Sequence, residues 1–194
     1  NSGAISVDSG TLSVSGGVTQ TGLIDIASGA TLSTSGNSFT NAASGVIQGS
    51  GTINLGAGTL FNDGTIAPGS AASPTGTLSI QGNFTQQAGT LAIDLAGAGP
   101  GQYDRLAVTG TASLGGTLSA TLLGGFQPSG TQQFQIVTAS SGVNGNFASL
   151  NLPSGFSHQV NANNVVLTFG GTSCAGTICW DNSDNNGLWT DPRN

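Results

Sequence analysis

Aliphatic and small polar residues alternate along the chain with a period of two. Leu12-Ser13-Val14, Leu23-Ile24-Asp25-Ile26, Leu78-Ser79-Ile80 and Leu91-Ala92-Ile93-Asp94-Leu95 each give an extended strand one aliphatic face and one of small polar groups. Between such runs come Ser-Gly, Ala-Ser-Gly and Asn-Asp-Gly, where Gly supplies a positive φ and Asn or Asp tolerates one. No sustained stretch repeats at the helical period. The pattern predicts short strand, tight turn, short strand, many times over.

The strands also recur at a longer interval. Gly-Thr-Leu or Gly-Thr-Ile occurs eight times, beginning at Gly10, Gly51, Gly58, Gly64, Gly76, Gly89, Gly116 and Gly176. Similar strands open at Ala4, Leu23, Val46, Thr65, Thr90 and Thr117, at spacings of 19, 23, 19, 25 and 27 residues. A strand-bearing period of roughly 20 to 30 residues points to a solenoid or array. A β-sandwich of short strands is the competing architecture, but it gives no reason for Gly-Thr-Leu to recur in equivalent turns. A parallel β-solenoid does, over residues 1 to about 125. Six coils would stack to roughly 30 Å at the usual strand spacing.

From about Pro100 the texture changes. Leu118-Ser119-Ala120-Thr121-Leu122, Phe134-Gln135-Ile136-Val137 and Val165-Val166-Leu167-Thr168-Phe169 are longer apolar runs. Phe126, Phe134, Phe147, Phe156 and Phe169 fall here, and Asn144-Gly145 reads as a hairpin turn. This predicts a thicker region closing the ladder, whose bare last coil would expose apolar surface and strand edges.

Composition narrows the function. Of 194 residues 33 are Gly and 47 are Ser or Thr, while charged residues make up 5 per cent. There is no Lys, Glu or Met, so most strong surface helix formers are missing. Gly follows no three-residue period, which excludes collagen, and the 36 per cent of hydrophobic residues suffices for a core. With two Arg and a net charge of −6, no basic patch for nucleic acid or an anionic membrane can form. No apolar run approaches the roughly 20 residues of a spanning helix. The opening NSGAISVDSG lacks the regions of a signal peptide and reads as a mature protein or an internal fragment.

Several segments together carry a resemblance. Tyr103-Asp104-Arg105-Leu106, Val108-Thr109-Gly110, Leu114-Gly115-Gly116-Thr117-Leu118, Gly124-Gly125-Phe126, Phe134-Gln135-Ile136-Val137 and Gly145-Asn146-Phe147 resemble the end of the β-helix in bacterial autotransporter passengers and related repetitive surface proteins of adhesin type. The Gly-Thr-Leu ladder resembles the coils of the same proteins. The tail from Cys179-Trp180-Asp181 to Asn194 is similar to the Trp-rich segments between their solenoid blocks. Nothing resembles their membrane-spanning barrel. The resemblance implies a right-handed parallel β-helix, a secreted or cell-surface location, and adhesive or scaffolding work with no specific ligand.

Residues able to do chemistry are few. Cys174 and Cys179 are too few for a structural zinc site, with His158 the only imidazole, and they lack redox spacing. In a secreted protein they are expected to form a disulfide closing a small loop, worth about 2 kcal/mol in the chain-entropy account. His158 shares a strand face with Phe156 and Val160, as a buried or rim histidine, and no Ser-His-Asp arrangement is legible. Asp104 and Arg105 point to opposite faces, leaving Arg105 to bond a carbonyl or carboxylate on a neighbouring coil. Asp8, Asp25, Asp63 and Asp94 read as outward or turn residues. Asn182-Ser183-Asp184-Asn185-Asn186-Gly187 resembles the opening of a calcium loop, yet Arg193 stands where the closing Glu belongs, so a solvated turn is the reading. Asn83-Phe84-Thr85 is a weak glycosylation sequon.

The combined expectation is an all-β chain in three parts. Residues 1–99 form the Gly-rich solenoid ladder, 100–170 the last coils and closing β-region, and 171–194 a disulfide-stapled, Trp-containing tail. No catalytic, cofactor or metal residue is assigned. Ala4-Ile5-Ser6-Val7 starts the ladder without a cap, so further coils or another subunit should cover it, and filament assembly follows if a subunit does. Trp180 and Trp189 are the partner-binding candidates, for self-association or other surface proteins. A carbohydrate-binding or carbohydrate-cleaving solenoid is the alternative; clustered aromatics and two close carboxylates in one groove would favour it.

Overall fold

The computed structural model describes residues 1–170, which are all-β: nineteen strands, numbered β1–β19 along the chain, and no helix. Seven strands make one sheet, in the order β1 (Ala4–Val7), β4 (Leu23–Ile26), β7 (Val46–Gly49), β9 (Thr65–Pro68), β11 (Thr90–Leu95), β14 (Thr117–Leu122) and β17 (Ser149–Asn151). Every neighbouring pair in it is parallel. The register joins Ala4 to Leu23, Leu23 to Val46, Val46 to Thr65, Thr65 to Thr90 and Thr90 to Thr117. These are the six openings expected from spacing.

A twelve-stranded sheet carries two further rows. The first contains β2 (Thr11–Ser13), β5 (Thr31–Ser33), the start of β8 (Thr52–Asn62), the start of β10 (Thr77–Gln86), β12 (Arg105–Val108) and β15 (Gln132–Ala139). The second contains β3 (Val18–Gln20), β6 (Phe39–Asn41), the ends of β8 and β10, β13 (Ala112–Leu114) and β16 (Val143–Gly145). The long strands β8 and β10 therefore serve both rows. Each pass of the chain lays one strand in the first sheet and then visits the second before returning.

Alternation fixes which side chains face inward, and parallel register stacks like on like. Ile24, Ile47, Ile66, Leu91 and Leu118 form one buried column, and Leu32, Ile53, Ile80 and Val108 another. Phe39, Leu60, Phe84 and Ala112 form the third. All belong to a single hydrophobic cluster. Each large member contributes about 1.5–3 kcal/mol by leaving water.

Glycine recurs for a steric reason. The residue before each of the first six strands of the first sheet is Gly3, Gly22, Gly45, Gly64, Gly89 or Gly116, and these stack pass over pass; before β17 it is Ala148. The first N–H of each following strand donates to the glycine carbonyl of the previous pass: Leu23 to Gly3, Val46 to Gly22, Thr65 to Gly45, Thr90 to Gly64 and Thr117 to Gly89, at 2.7–3.0 Å. A Cβ on Gly64, Gly89 or Gly116 would sit 2.2–2.3 Å from that carbonyl oxygen. The Gly-Thr-Leu motif is not confined to this row. Gly10, Gly51 and Gly76 precede the first row of the second sheet and Gly58 the next, so the motif marks strand openings in general rather than one repeated turn.

Parallel order ends near β15. Strand β19 (Asn164–Phe169) pairs antiparallel with β15, and β18 (Phe156–Val160) antiparallel with β19. Phe134 is fully buried, with Tyr103, Phe126 and Phe156 at ring-centroid distances of 5.4, 6.3 and 5.9 Å, and Phe169 packs on Phe156 at 5.2 Å. The expected hairpin at Asn144-Gly145 is corrected: both residues lie in β16, paired parallel with Ser113 and Leu114 of β13. Positive φ at Gly145 accompanies this pairing without reversing the chain. The reversal lies between β18 and β19 instead.

Candidate functional site: an acidic pair between two loops

Two loops leave the ladder on the same side, residues 69–76 between β9 and β10 and residues 96–104 between β11 and β12. Asp104 fastens both. Its Oδ1 accepts the Gly76 N–H at 2.8 Å and its Oδ2 accepts the Asp94 N–H at 2.9 Å. The Asp104 N–H donates to the Asp94 carbonyl at 2.9 Å, and Thr75 Oγ1 donates to the Gly101 carbonyl at 2.8 Å.

Asp104 is 1 % exposed. Burial pushes its carboxyl up to about 7, outweighing the two N–H donors that favour the anion, and the neighbouring Asp94 charge adds to the rise. Asp94 is half-buried, and burial raises its carboxyl as well. Unlike Asp104 it reaches the surface, lining a concavity of about 360 Å³ with Gln48, Ala67, Pro68, Ser70 and Leu123. Gln48 Nε2 is engaged by Asp25 Oδ2 at 2.8 Å.

No family model, curated protein or solved structure matches the chain.

Other candidates from the sequence are dispersed. Arg105 Nη2 donates to the side-chain carbonyl oxygen of Gln135, Oε1, on the neighbouring strand β15 at 3.2 Å. His158 is a rim residue: its ring lies 6.3 Å from Phe147, and its Nε2 is hydrogen-bonded to Asn146 Oδ1 at 2.8 Å. Asn83 Oδ1 accepts the Thr111 N–H at 3.0 Å. Asp8 is exposed, and Asp25 and Asp63 are half-buried. Among the described residues no three of His, Cys, Asp or Glu converge on a metal-sized site, and no helix crosses a membrane. Cys174, Cys179, Trp180, Trp189 and the Asn182–Gly187 segment lie outside the described residues.

One arrangement escaped sequence reasoning. Gln20, Asn41, Asn62 and Gln86 occupy equivalent inward positions in the third row, all at most 2 % exposed. Asn1 Nδ2 donates to Gln20 Oε1 at 2.7 Å, Asn41 Nδ2 to Asn62 Oδ1 at 2.7 Å, and Asn62 Nδ2 to Gln86 Oε1 at 2.9 Å. Beyond Gln86 the inward residue is Leu114, and Gln86 Nε2 has no partner. The signal was present as an apolar residue, a spacer and an amide: Val18-Thr19-Gln20, Phe39-Thr40-Asn41, Leu60-Phe61-Asn62 and Phe84-Thr85-Gln86.

At the other edge of the ladder, β1, β2 and β3 pair on one side only among the described residues. Ile5, Leu12, Val14 and Val18 there are only partly buried.

Proposed function

We propose that the chain is a non-enzymatic structural or adhesive module of a secreted or bacterial cell-surface protein, built as a right-handed β-solenoid of the type found in autotransporter passengers. The observation that carries this reading is the unbroken in-register ladder of the first sheet, from Ala4 to Ser149. A long repeated stack gives reach and regular surface. The half-covered aliphatics of the one-sided strands β1–β3 would be covered either by further coils of a longer chain or by another such module.

The carbohydrate reading draws its support from Asp94 in the concavity. It is the weaker one. Hydrolysis in most glycosidases needs two carboxyl groups facing the bond, and Asp104 is buried with both oxygens taken by backbone N–H groups. The aromatic cluster gathers around Phe134, not in the concavity.

Electron microscopy of the purified chain, run beside a sugar-release assay on a panel of polysaccharides, separates the two. The structural reading expects uniform rods or end-to-end assemblies and no release of reducing sugar. Turnover of any polysaccharide, abolished by Asp94→Asn, would replace it with the enzymatic reading.

A further inference from the structure

The concavity beside Asp94 gathers two side-chain acceptors, the Asp94 carboxylate and Gln48 Oε1, with the Ser70 hydroxyl as the one free side-chain donor in its lining. Burial is the only influence displacing the Asp94 carboxyl, and no described residue donates to its oxygens. Its backbone is held by Asp104, so the strand cannot easily carry the carboxylate outward. Gln48 turns its NH₂ to Asp25, which leaves its Oε1 as a second acceptor. Around these groups Ala67, Pro68 and Leu123 supply an apolar lining. A half-buried carboxylate has given up part of its hydration, and a cation that reaches it offsets part of that loss.

The complementary ligand is therefore a cation with several donors, no acceptor and an apolar body. An ammonium on a methylene stem has that make-up. This chain has no Lys to offer, and Arg105 is engaged by Gln135. A sugar is a poorer match, because it brings acceptors as well as donors and finds no aromatic platform in the lining.

We propose that this concavity docks a lysine side chain of a partner protein, its ammonium on the Asp94 carboxylate and its stem against Ala67, Pro68 and Leu123. This deepens the adhesive reading and rests on it for the existence of a protein partner.

The test is an NMR titration of the isotopically labelled 1–194 chain with Nα-acetyl-lysine methylamide. The norleucine analogue, which keeps the stem without the ammonium, and glucosamine serve as comparison ligands. The lysine compound should move the signals of Ala67, Ser70 and Leu123, with the norleucine compound binding roughly tenfold more weakly. Asp94→Asn should erase that difference while the rest of the spectrum stays superimposable. Equal binding of the lysine and norleucine compounds, or undiminished lysine binding by Asp94→Asn, would overturn the proposal. Tighter binding of glucosamine would overturn it in favour of a carbohydrate site. Displacement of the same signals by Arg193→Gln alone, with no ligand added, would overturn it by making the chain's own tail the occupant. Failure of the solenoid reading would show separately, as loss of the strand-to-strand signals of the ladder.

Discussion

Replacing Gly89 with Ala places a methyl group inside the glycine stack. The new Cβ would lie 2.3 Å from the Gly64 carbonyl oxygen and 2.7 Å from Asn62 Nδ2. Neither neighbour can swing away freely: the carbonyl accepts the Thr90 N–H at 2.7 Å, and the amide donates to Gln86. The two passes must separate locally. Overpacking of this kind costs about 1–3 kcal/mol, and a stretched or broken ladder hydrogen bond adds about 0.5–1.5 kcal/mol. The sum, about 1.5–4.5 kcal/mol, is a large share of the roughly 5–15 kcal/mol that holds a domain folded. For a chain of this size it lowers the melting temperature by roughly 3–18 °C. Gly17→Ala is the control, since a Cβ there meets nothing within 4 Å and the backbone is not in the left-handed region. Its stability should match the parent or slightly exceed it. Urea denaturation followed by circular dichroism gives both numbers. Equal stability of the two variants would refute the stack as the reason for glycine.

Asn62→Leu should cost about 1–3 kcal/mol in urea unfolding, because Gln86 Oε1 loses its donor while the Asn41 amide keeps only its longer bonds to the Gly45 and Thr65 carbonyls; Leu114→Gln should recover stability by giving Gln86 Nε2 an acceptor, and destabilisation there would count against a ladder that can be extended. Asp104 binds its proton more tightly folded than unfolded, its carboxyl rising from 3.8 to about 7. Its contribution to stability is therefore full below about pH 4 and fades as pH rises through about 7, by at most about 4 kcal/mol. Urea midpoints measured from pH 4 to 8 should fall with this sign, and Asp104→Asn should flatten the slope to the smaller share left by Asp94. Trypsin should leave the bond after Arg105 intact for hours at neutral pH, because Arg105 opens β12 and its N–H donates to the Gly76 carbonyl at 2.9 Å; rapid cleavage there, followed by mass spectrometry, would contradict the strand's stability.

What could be read from the sequence was whatever repeats with simple parity. Ile24, Ile47, Ile66 and Leu91 are aliphatic on every pass, so their spacing gave the register of the first sheet directly. The Gly-Thr-Leu motif marked strand openings but not rows, because it recurs before strands of more than one row, at Gly10, Gly51 and Gly76 as well as at Gly64, Gly89 and Gly116. Gln20, Asn41, Asn62 and Gln86 were passed over because Asn and Gln read as surface or turn residues, although their parity is that of the core. Asn144-Gly145 misled for the opposite reason: a strong local turn signal was overridden by pairing of β16 with β13. Asp104 became visible as a clamp only once two loops far apart in sequence had been brought together, and no local pattern carries that information.

Hydrogen-bond scalar couplings across the ladder test the proposed solenoid most directly. In the labelled chain, the account predicts through-bond correlations from the amides of Leu23, Val46, Thr65, Thr90 and Thr117 to the carbonyls of Gly3, Gly22, Gly45, Gly64 and Gly89. All five should share one parallel pattern, and Gly89→Ala should weaken the Thr90-to-Gly64 correlation first. Reciprocal, antiparallel couplings among these same strands, or amides there that exchange with water as fast as in an unfolded chain, would contradict it.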